Sequence, residues 1–462
     1  MKETENADMG NIVTRKLYQV RSHLTQTQFI AYGFMGIILT GTLLLMLPIS
    51  SRTGQVTPFL NCLFTATSAS CVTGLIVYDT WTHWSLFGQL VLLTMIQIGG
   101  LGFVTIGVFL SMVLRRKIGL KERGLMQESA NSLQIGGMVK LAKKIIWGTA
   151  LFEGGGALIL AIRFIPDVGA LKGIYYGIFH SISAFCNAGF DLMGWQGAYS
   201  SLVNYYDDWI VNLVIMLLII IGGIGFVVWD DLSRNGLHFK KYALHTKIVV
   251  LTTLVLVFGG AYLFWRFEKE YLMQGMTPSA QILTSLFSSV TARTAGFNTV
   301  DTAQLSDASK LLTAVLMFIG GSPGSTAGGV KTTTIVVMYL YLYSTIQRTY
   351  GVNVFGRRLE EDAIKRASTI FLINLSLAVF ASIYIMAAQH LPMSDVLFET
   401  FSAIGTVGMS TGVTRALNPM SRLVIIFLMY CGRVGSLSFA LSFTQNKRVA
   451  HVKQPEERIT IG

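Results

Sequence analysis

Four short segments of the chain follow one pattern that ends in glycine, and each follows a half-length apolar stretch. The segments read S-A-S-C-V-T-G at 68–74, S-A-F-C-N-A-G at 183–189, V-T-A-R-T-A-G at 290–296 and S-A-I-G-T-V-G at 402–408. The half-length stretches are too short to cross a bilayer and are typical of re-entrant segments: 57–72, 173–187, 277–293 and 393–407. Non-helical backbone at membrane depth is tolerated only where protein buries it or where it lines a water-filled path. Four such loops around one axis therefore predict a pore.

The composition places the rest of the chain in lipid. Its 462 residues are 52% hydrophobic and only 13% charged, whereas soluble domains average about 25% charged residues. Uncharged or nearly uncharged stretches long enough to span occur at 24–51, 80–114, 145–162, 209–229, 248–265, 311–330, 367–394 and 423–445. The polar residues 1–23 lack the apolar core of a signal peptide. We expect an all-α integral membrane protein with eight transmembrane helices, arranged as four pseudo-symmetric helix–pore loop–helix units around a central pore.

The distribution of positive charge predicts the topology. Most of the 36 Lys and Arg residues fall in the two tails and in alternate loops, and such a bias marks the cytoplasmic side. Both termini are therefore expected on the cytoplasmic side of the cell membrane, and the net charge of +12 orients the protein without implying a nucleic-acid partner. The predicted order is an N-terminal tail (1–27), unit one (28–115), a cytoplasmic loop (116–144), unit two (145–231), unit three (247–346), unit four (367–445) and a C-terminal tail (446–462).

The four glycine segments have the chemistry of a cation filter. A filter must replace the hydration shell of an ion with oxygens, and glycine permits the backbone conformations that turn successive carbonyl groups one way. Thr-Val-Gly at 406–408 matches the start of the potassium-channel filter signature. The candidate ligands of K⁺ are Thr73, Gly74, Asn187, Ala188, Gly189, Thr294, Ala295, Gly296, Thr406, Val407 and Gly408. Acids follow three of the glycines and would concentrate cations, namely Asp79, Asp191 and Asp301; the fourth loop carries Arg415 instead.

A second glycine motif follows each segment, and in unit three it predicts a gate. Units one, two and four read Gly99-Gly100-Leu101-Gly102, Gly222-Gly223-Ile224-Gly225 and Gly432-Arg433-Val434-Gly435. Unit three has five glycines and a proline within 320–329, which no helix accommodates. The predicted gate comprises Gly320, Gly321, Ser322, Pro323, Gly324, Ser325, Thr326, Ala327, Gly328 and Gly329, with Lys331 and Arg433. Units one and two are expected to stay helical, with Gly99, Gly102, Gly222 and Gly225 as close-packing residues. A phosphate-binding loop is excluded because Val330 separates Gly329 from Lys331.

Two charged residues lie within predicted spans. Arg433 takes the place that Gly100 and Gly223 hold in their units, and an arginine at this depth faces a cavity or a partner. We expect it near the pore, either in the gate or as an internal hydrogen-bond anchor. Glu153 is expected to bind a neighbouring helix or a second copy of the chain.

The motifs together resemble the Trk/Ktr/HKT superfamily of potassium transporters, and within it the membrane subunits of bacterial Ktr systems. The resemblance rests on A-T-S-A-S-C-V-T-G-L, S-A-F-C-N-A-G-F, T-A-R-T-A-G-F-N-T and G-T-V-G-M-S-T-G and covers about residues 28–445. It implies a filter at Gly74, Gly189, Gly296 and Gly408, a gating loop at 320–329 and an electrostatic barrier at Arg433. It also implies a homodimer and an octameric cytosolic ring of nucleotide-binding RCK subunits of the KtrA/KtrC type. Val290-Thr291 departs from the Ser-Ala start of the other segments, so the helix-end contacts of unit three stay open.

Two other classes of function were weighed against K⁺ conduction. A secondary cation transporter with a midplane site would be built from inverted repeats, but here all four half-length segments run in the same direction. An intramembrane enzyme would need paired acids, histidine clusters or a nucleophile beside a base, and the spans contain none of these. The transported ion is therefore expected to be K⁺, without an organic cofactor. The sequence does not distinguish K⁺-only conduction from Na⁺-dependent uptake.

Overall fold

The computed structural model describes residues 25–107, 124–125 and 138–443, together with 455, 457 and 460. The predicted N-terminal tail 1–27, cytoplasmic loop 116–144 and C-terminal tail 446–462 lie largely outside the described residues. The helices are, in chain order, α1 (Gln26–Met46), α2 (Phe59–Ser70), α3 (Thr80–His83), α4 (Leu86–Leu101), α5 (Met138–Val168), α6 (Ala170–Phe185), α7 (Trp209–Gly223), α8 (Phe226–Asn235), α9 (Leu244–Glu268), α10 (Pro278–Thr291), α11 (Asp307–Phe318), α12 (Thr332–Ile346), α13 (Glu361–Gln389), α14 (Met393–Gly405), α15 (Val413–Ala416), α16 (Pro419–Val434) and α17 (Ser436–Phe443).

Strand structure is confined to one small hairpin in the described part of the chain. Strands β1 (Asn353–Val354) and β2 (Arg357–Arg358) pair antiparallel, with Asn353 opposite Arg358. The hairpin joins α12 to α13, and the remaining connections are loops and short 3₁₀ turns at Pro48–Ser50, Met193–Trp195, Val203–Tyr205, Phe239–Lys241 and Thr302–Gln304. The described part of the chain is thus mostly helical, as predicted.

Each repeat begins with a long continuous apolar helix. Among the described residues, α1, α5, α9 and α13 are long and apolar enough to cross a membrane, and a fifth span results if the bent pair α7–α8 is counted as one. The predicted number of eight transmembrane helices therefore stays a prediction. Helix α1 begins at a capping box, in which the Thr25 side chain accepts from the Gln28 N–H and the Gln28 side chain accepts from the Thr25 N–H.

The half-length stretches form the helices α2, α6, α10 and α14. Each points its C-terminal end at a glycine segment and buries one large aromatic side chain, namely Phe64, Phe179, Phe287 and Phe398. In unit three the aromatic lies one position nearer its glycine than in the other units, because Leu286 takes the equivalent position and is only partly buried. The large residue after each glycine is also buried: Leu75, Phe190, Phe297 and Met409. These side chains anchor the glycine segments in the protein interior.

The second helix of each repeat is interrupted at its glycine motif. Helices α4, α7, α11 and α16 begin at the polar N-caps Ser85, Asp208, Ser306 and Asn418. Gly102, Gly225 and Gly435 then have φ of +79°, +99° and +94°, so the helix stops in the left-handed conformation that glycine tolerates. Helix α8 leaves α7 at an angle of 98°. Helical structure resumes directly after these glycines, at 103–107 and in α8, so units one and two stay helical as predicted, apart from the break at the glycine itself.

Two of the motif glycines do act as packing residues, as predicted. A Cβ atom on Gly99 or Gly222 would lie within 3.0 Å of the carbonyl oxygen of Ser70 or Phe185, at the end of a half-length helix. Gly102 and Gly225, assigned to the same role from the sequence, are required instead by their positive φ. The first glycines of each motif therefore bring the helix close to the glycine segments, and the last one breaks it.

Candidate functional site

The four glycine segments share one backbone conformation. Each glycine is left-handed, with φ of +91° at Gly74, +67° at Gly189, +86° at Gly296 and +93° at Gly408. The residue two positions earlier is left-handed as well, although it is not glycine: Val72, Asn187, Thr294 and Thr406 have φ of +52°, +57°, +80° and +53°. Such conformations are uncommon outside glycine and are maintained only where the surroundings fix them. Their fourfold recurrence indicates that the backbone of these segments has a specific task.

The segments contact each other in a closed cycle. A Cβ atom on Gly74 would lie within 3.0 Å of the carbonyl oxygen of Ala188, and one on Gly189 equally close to that of Ala295. The same holds from Gly296 to the carbonyl of Val407 and from Gly408 to the carbonyl of Thr73. Each segment therefore touches the next along the chain, and the fourth returns to the first. We call this arrangement the glycine ring; it brings together all the residues predicted as filter ligands.

Hydroxyl groups hold the segments at the ends of the half-length helices. The Oγ atoms of Ser68 and Ser402 each accept a hydrogen bond from the N–H of their glycine, at 3.0 Å. In the other two repeats the hydroxyl donates to the carbonyl oxygen after the glycine, from Ser183 to Phe190 and from Thr291 to Phe297, both at 2.7 Å. The contacts left open for unit three are therefore made by Thr291, which substitutes for the serine missing from its motif.

A cavity of about 400 Å³ borders the four ring glycines, and we call it the glycine-side cavity. The four ring glycines line it together with Asp191, Asp301 and Arg415. Asp79, predicted to share this position, is buried instead: it caps α3 by accepting from the Thr82 N–H at 2.7 Å and also accepts from the Tyr199 N–H at 3.0 Å. Two of the three predicted acids thus face this glycine-side cavity. Arg415 stacks on Tyr199, with the guanidinium carbon 4.3 Å from the ring centre.

Asp191 lies in the loop between α6 and α7, outside the long helices. The residue is 8% exposed, and its carboxyl accepts a hydrogen bond from the Met193 N–H at 2.9 Å. Burial, with a smaller contribution from the nearby Asp79, raises its pKa to about 7 against the lowering effect of the Met193 hydrogen bond. The charge of this carboxyl therefore changes near neutral pH.

The glycine-rich loop of unit three lies against the opposite side of the ring. A Cβ atom on Gly328 would lie within 3.0 Å of the Thr406 side chain, and one on Gly320 would be 3.3 Å from the Thr294 methyl group. A second cavity, of about 810 Å³, is lined by loop residues and by both predicted gate cations: Gly324, Ser325, Ala327, Gly329, Lys331 and Arg433. The loop therefore lies between this loop-side cavity and the glycine ring.

Hydrogen bonds from the loop to carbonyl groups of the broken helices of other units hold the loop in place. Ser322 N–H donates to the Gly223 carbonyl at 2.9 Å, and Thr326 N–H donates to the Gly222 carbonyl at 3.2 Å. Gly329 N–H donates to the Gly432 carbonyl at 3.2 Å. Buried backbone groups need such partners, and helix breaks leave carbonyls free to provide them. The loop thus depends on the glycine motifs of units two and four.

Lys331 and Arg433 also donate hydrogen bonds to carbonyl groups of the loop, Lys331 from unit three itself and Arg433 from unit four. Lys331 Nζ donates to the carbonyl oxygens of Ala327 at 2.6 Å and Gly328 at 3.3 Å, within its own loop. Arg433 donates to the Thr326 carbonyl in the loop and to the Gly99 and Gly100 carbonyls of unit one, the last at 3.0 Å. Arg433 therefore lines the cavity and is a hydrogen-bond anchor, one of its two predicted roles, while its part in the gate stays a prediction.

Two buried acids flank the ring. Glu153 accepts from Gln97 Nε2 at 3.1 Å and lies 3.8 Å from Cys186 Sγ, so it binds the neighbouring helix α4, one of its two predicted partners. Glu399 in α14 is fully buried and was missed by the sequence analysis, which found no acid in the fourth loop. The sequence feature that could have identified it is an acidic residue within the apolar half-length stretch 393–407.

Comparisons with known proteins agree with this architecture. The sequence model of the TrkH family, described as cation transport protein, matches residues 10–451. The chain is 40% identical to the potassium/sodium uptake protein NtpJ of Enterococcus hirae, over 96% of this chain and 99% of that protein. It is 39% identical to the Ktr system potassium uptake protein B of Bacillus subtilis, over 95% of this chain and 97% of that protein. In fold it is similar to the potassium transporter TrkH from Vibrio parahaemolyticus, with a TM-score of 0.66, 19% identity, and coverage of 90% of this chain and 85% of the other.

Proposed function

The chain belongs to the TrkH family of cation transport proteins, and on this premise we propose that it is the K⁺-translocating membrane subunit of a Ktr-type potassium uptake system. It is a membrane transporter and not an enzyme. The names of its relatives support potassium as the cargo, since they are potassium and potassium/sodium uptake proteins. Whether Na⁺ is a cargo or a stimulant is a question for the experiment below.

The closed cycle of the glycine ring is the observation that carries this proposal. A monovalent cation crosses hydrocarbon only where oxygens replace its water, and rings of backbone carbonyls do so in potassium channels. Each ring glycine lies against a backbone carbonyl of the next segment in the cycle; these carbonyls belong to Ala188, Ala295, Val407 and Thr73. We assign K⁺ to this ring, with four pseudo-symmetric units and eight spans around one central pore. The half-length helices add the negative ends of their dipoles.

The loop at 320–329 is proposed as the gate. It lies between the glycine ring and the loop-side cavity, and it is held by hydrogen bonds whose partners belong to other units. With both termini cytoplasmic, the loop-side cavity opens inward and the glycine-side cavity outward. We further propose that the chain forms a homodimer and that a cytosolic ring of RCK subunits moves the loop when it binds nucleotide. The Ktr system name of one relative supports a separate regulatory subunit.

The test is K⁺ uptake in a bacterial strain that lacks its own potassium uptake systems. Cells expressing the chain with an RCK ring subunit should grow at low K⁺ and take up K⁺ faster than cells expressing the chain alone. Addition of Na⁺ separates K⁺-only from Na⁺-dependent uptake. Absence of K⁺ uptake from a chain that is present in the membrane would contradict the proposal. Flux coupled to a second ion at fixed stoichiometry would favour a secondary cation transporter.

A further inference from the structure

One buried carboxyl group accepts hydrogen bonds from two residues of the loop that follows the fourth ring glycine. Ser410 Oγ donates to Glu399 Oε2 at 2.7 Å, and Thr414 Oγ1 donates to Glu399 Oε1. Glu399 is 0% exposed and projects from α14, the half-length helix of unit four. Both donors lie beyond Gly408, so the carboxyl joins the helix before the ring to the loop after it.

This loop forms part of the wall of the glycine-side cavity. Ser410, Gly412 and Thr414 line the cavity. Ser410 Oγ also accepts the Gly412 N–H at 3.0 Å, next to a glycine with φ of +101°. The Ser410 carbonyl oxygen accepts from the Thr302 hydroxyl of unit three at 2.6 Å. The contact at Glu399 therefore extends through Ser410 to the neighbouring repeat.

The repeats differ at the position that Glu399 occupies. Counted back from the ring glycine, its counterparts are Thr65, His180 and Phe287. His180 is also fully buried, and its Nε2 accepts from the Leu192 N–H at 3.2 Å, again in the loop after the glycine. Thr65 instead donates to the Asn61 carbonyl of its own helix at 2.9 Å. Units two and four, which are not neighbours in the ring, thus use a polar side chain as a brace, and units one and three do not.

We propose that Glu399 is a positioning residue for ion discrimination: it fixes the loop after Gly408 and thereby the carbonyl geometry of the fourth segment. The inference rests on the proposed function, because discrimination is defined only for an ion-conducting ring. The residue does not contact the ion and acts through Ser410 and Thr414. Buried hydrogen bonds to a carboxyl are among the stronger polar contacts in proteins. Their loss frees the loop to adopt carbonyl spacings that a smaller cation can use.

The test measures the ratio of K⁺ to Na⁺ uptake by the purified full-length chain in lipid vesicles, in the presence of an RCK ring subunit that opens the gate. Glu399→Met removes both acceptor oxygens at similar volume and should lower the ratio on the order of tenfold, with the rate for K⁺ changed much less. Ser410→Ala should lower the ratio in the same direction. The double variant should be no worse than Glu399→Met alone, because residues in one network are not additive. Thr65→Val, the matched control in unit one, should keep the wild-type ratio.

Several outcomes would overturn the inference. One is a wild-type ratio in Glu399→Met, and another is an equal loss in Thr65→Val. If Glu399→Met does not insert into the membrane, the K⁺/Na⁺ ratios of Ser410→Ala and Thr414→Val are measured instead. Wild-type ratios in both variants would reject the positioning role of Glu399. Failure of the proposed function is distinguishable, since the wild-type chain would then conduct no K⁺ at all. K⁺ conduction with unaltered discrimination in these variants rejects the role of Glu399 alone.

Discussion

Arg433 donates a hydrogen bond to the carbonyl oxygen of Thr326, a residue of the unit-three loop whose own N–H donates to the Gly222 carbonyl of unit two. The same guanidinium binds the Gly99 and Gly100 carbonyls of unit one. One side chain of unit four therefore connects the loop to the first repeat. Because these contacts join four units at one point, a movement of the loop must break or exchange them.

Replacement of Arg433 by glutamine should favour the conducting state. Each hydrogen bond from a charged group is worth about 1.5–3 kcal/mol, and about 1.4 kcal/mol changes an equilibrium tenfold. We expect K⁺ flux without the ring subunit to rise by on the order of tenfold in vesicles. Arg422→Gln is the matched control, since Arg422 lies at the other end of α16 and binds Asn61. Unchanged, fully ring-dependent flux in Arg433→Gln would assign this residue a static role.

Deletion of residues 321–329 should remove the barrier to K⁺. The loop occupies the space between the glycine ring and the loop-side cavity, and no helix is interrupted by its removal. We expect high K⁺ flux that depends neither on the ring subunit nor on its nucleotide. A deletion of residues 355–356 at the tip of the β1–β2 hairpin serves as the control. If the loop deletion inserts yet its flux stays low and ring-dependent, the gate lies elsewhere, with Arg433 as the next candidate.

Serine at Gly296 should impair ion selection. A side chain there would be held at a φ of +86° and would approach the Val407 carbonyl oxygen. The left-handed conformation alone costs about 1–2 kcal/mol for a residue other than glycine, so K⁺ affinity or K⁺/Na⁺ discrimination should fall at least several-fold. The readouts are K⁺ uptake kinetics and competition by Na⁺. Gly259→Ser, in α9 with open space around it, should behave as wild type; equal kinetics for both variants would exclude Gly296 from the ring's function.

K⁺ uptake at subsaturating K⁺ should depend on external pH through Asp191. Burial raises the pKa of this acid to about 7, so its carboxyl gains a proton, and the glycine-side cavity loses a negative charge, as pH falls from 8 to 6. The initial rate should therefore decline over this range. Asp191→Asn should be slow at pH 8 and should lack this decline, whereas Asp191→Glu should retain it. A pH profile that is identical in wild type and Asp191→Asn would refute the assignment.

The proposed assembly predicts the oligomeric state of the chain and its binding to a ring subunit. The purified chain should be a dimer by light scattering in detergent, and it should bind an RCK ring in a pull-down. Binding is expected through the basic loops and the C-terminal tail, so truncation after residue 445 should weaken it. The truncated chain should still form the dimer, which provides the control. A strictly monomeric particle that binds no ring subunit would contradict this part of the proposal.

Several features of the protein follow from sequence alone, because local chemistry decides them. The length of an apolar helix decides whether it can cross a bilayer, and glycine adopts the positive φ of Gly74 and Gly408 without steric cost. The four half-length helices and the disruption of unit three were predictable for this reason. The break of the second helices at Gly102 and Gly225 was not predicted, because the apolar residues after these glycines suggested a helix while their positive φ interrupts it.

Tertiary structure alone decided which distant groups meet. The cycle from Gly74 to Gly189, Gly296, Gly408 and back is a matter of packing between repeats, and no local pattern specifies it. Arg433 was visible in the sequence as a charge in a span, but its carbonyl partners belong to units one and three. The contact of Glu399 with Ser410, on which its proposed role depends, is likewise made only in the folded protein. Backbone carbonyls and hydroxyls occur throughout the chain, so their pairing is set by the fold and not by residue type.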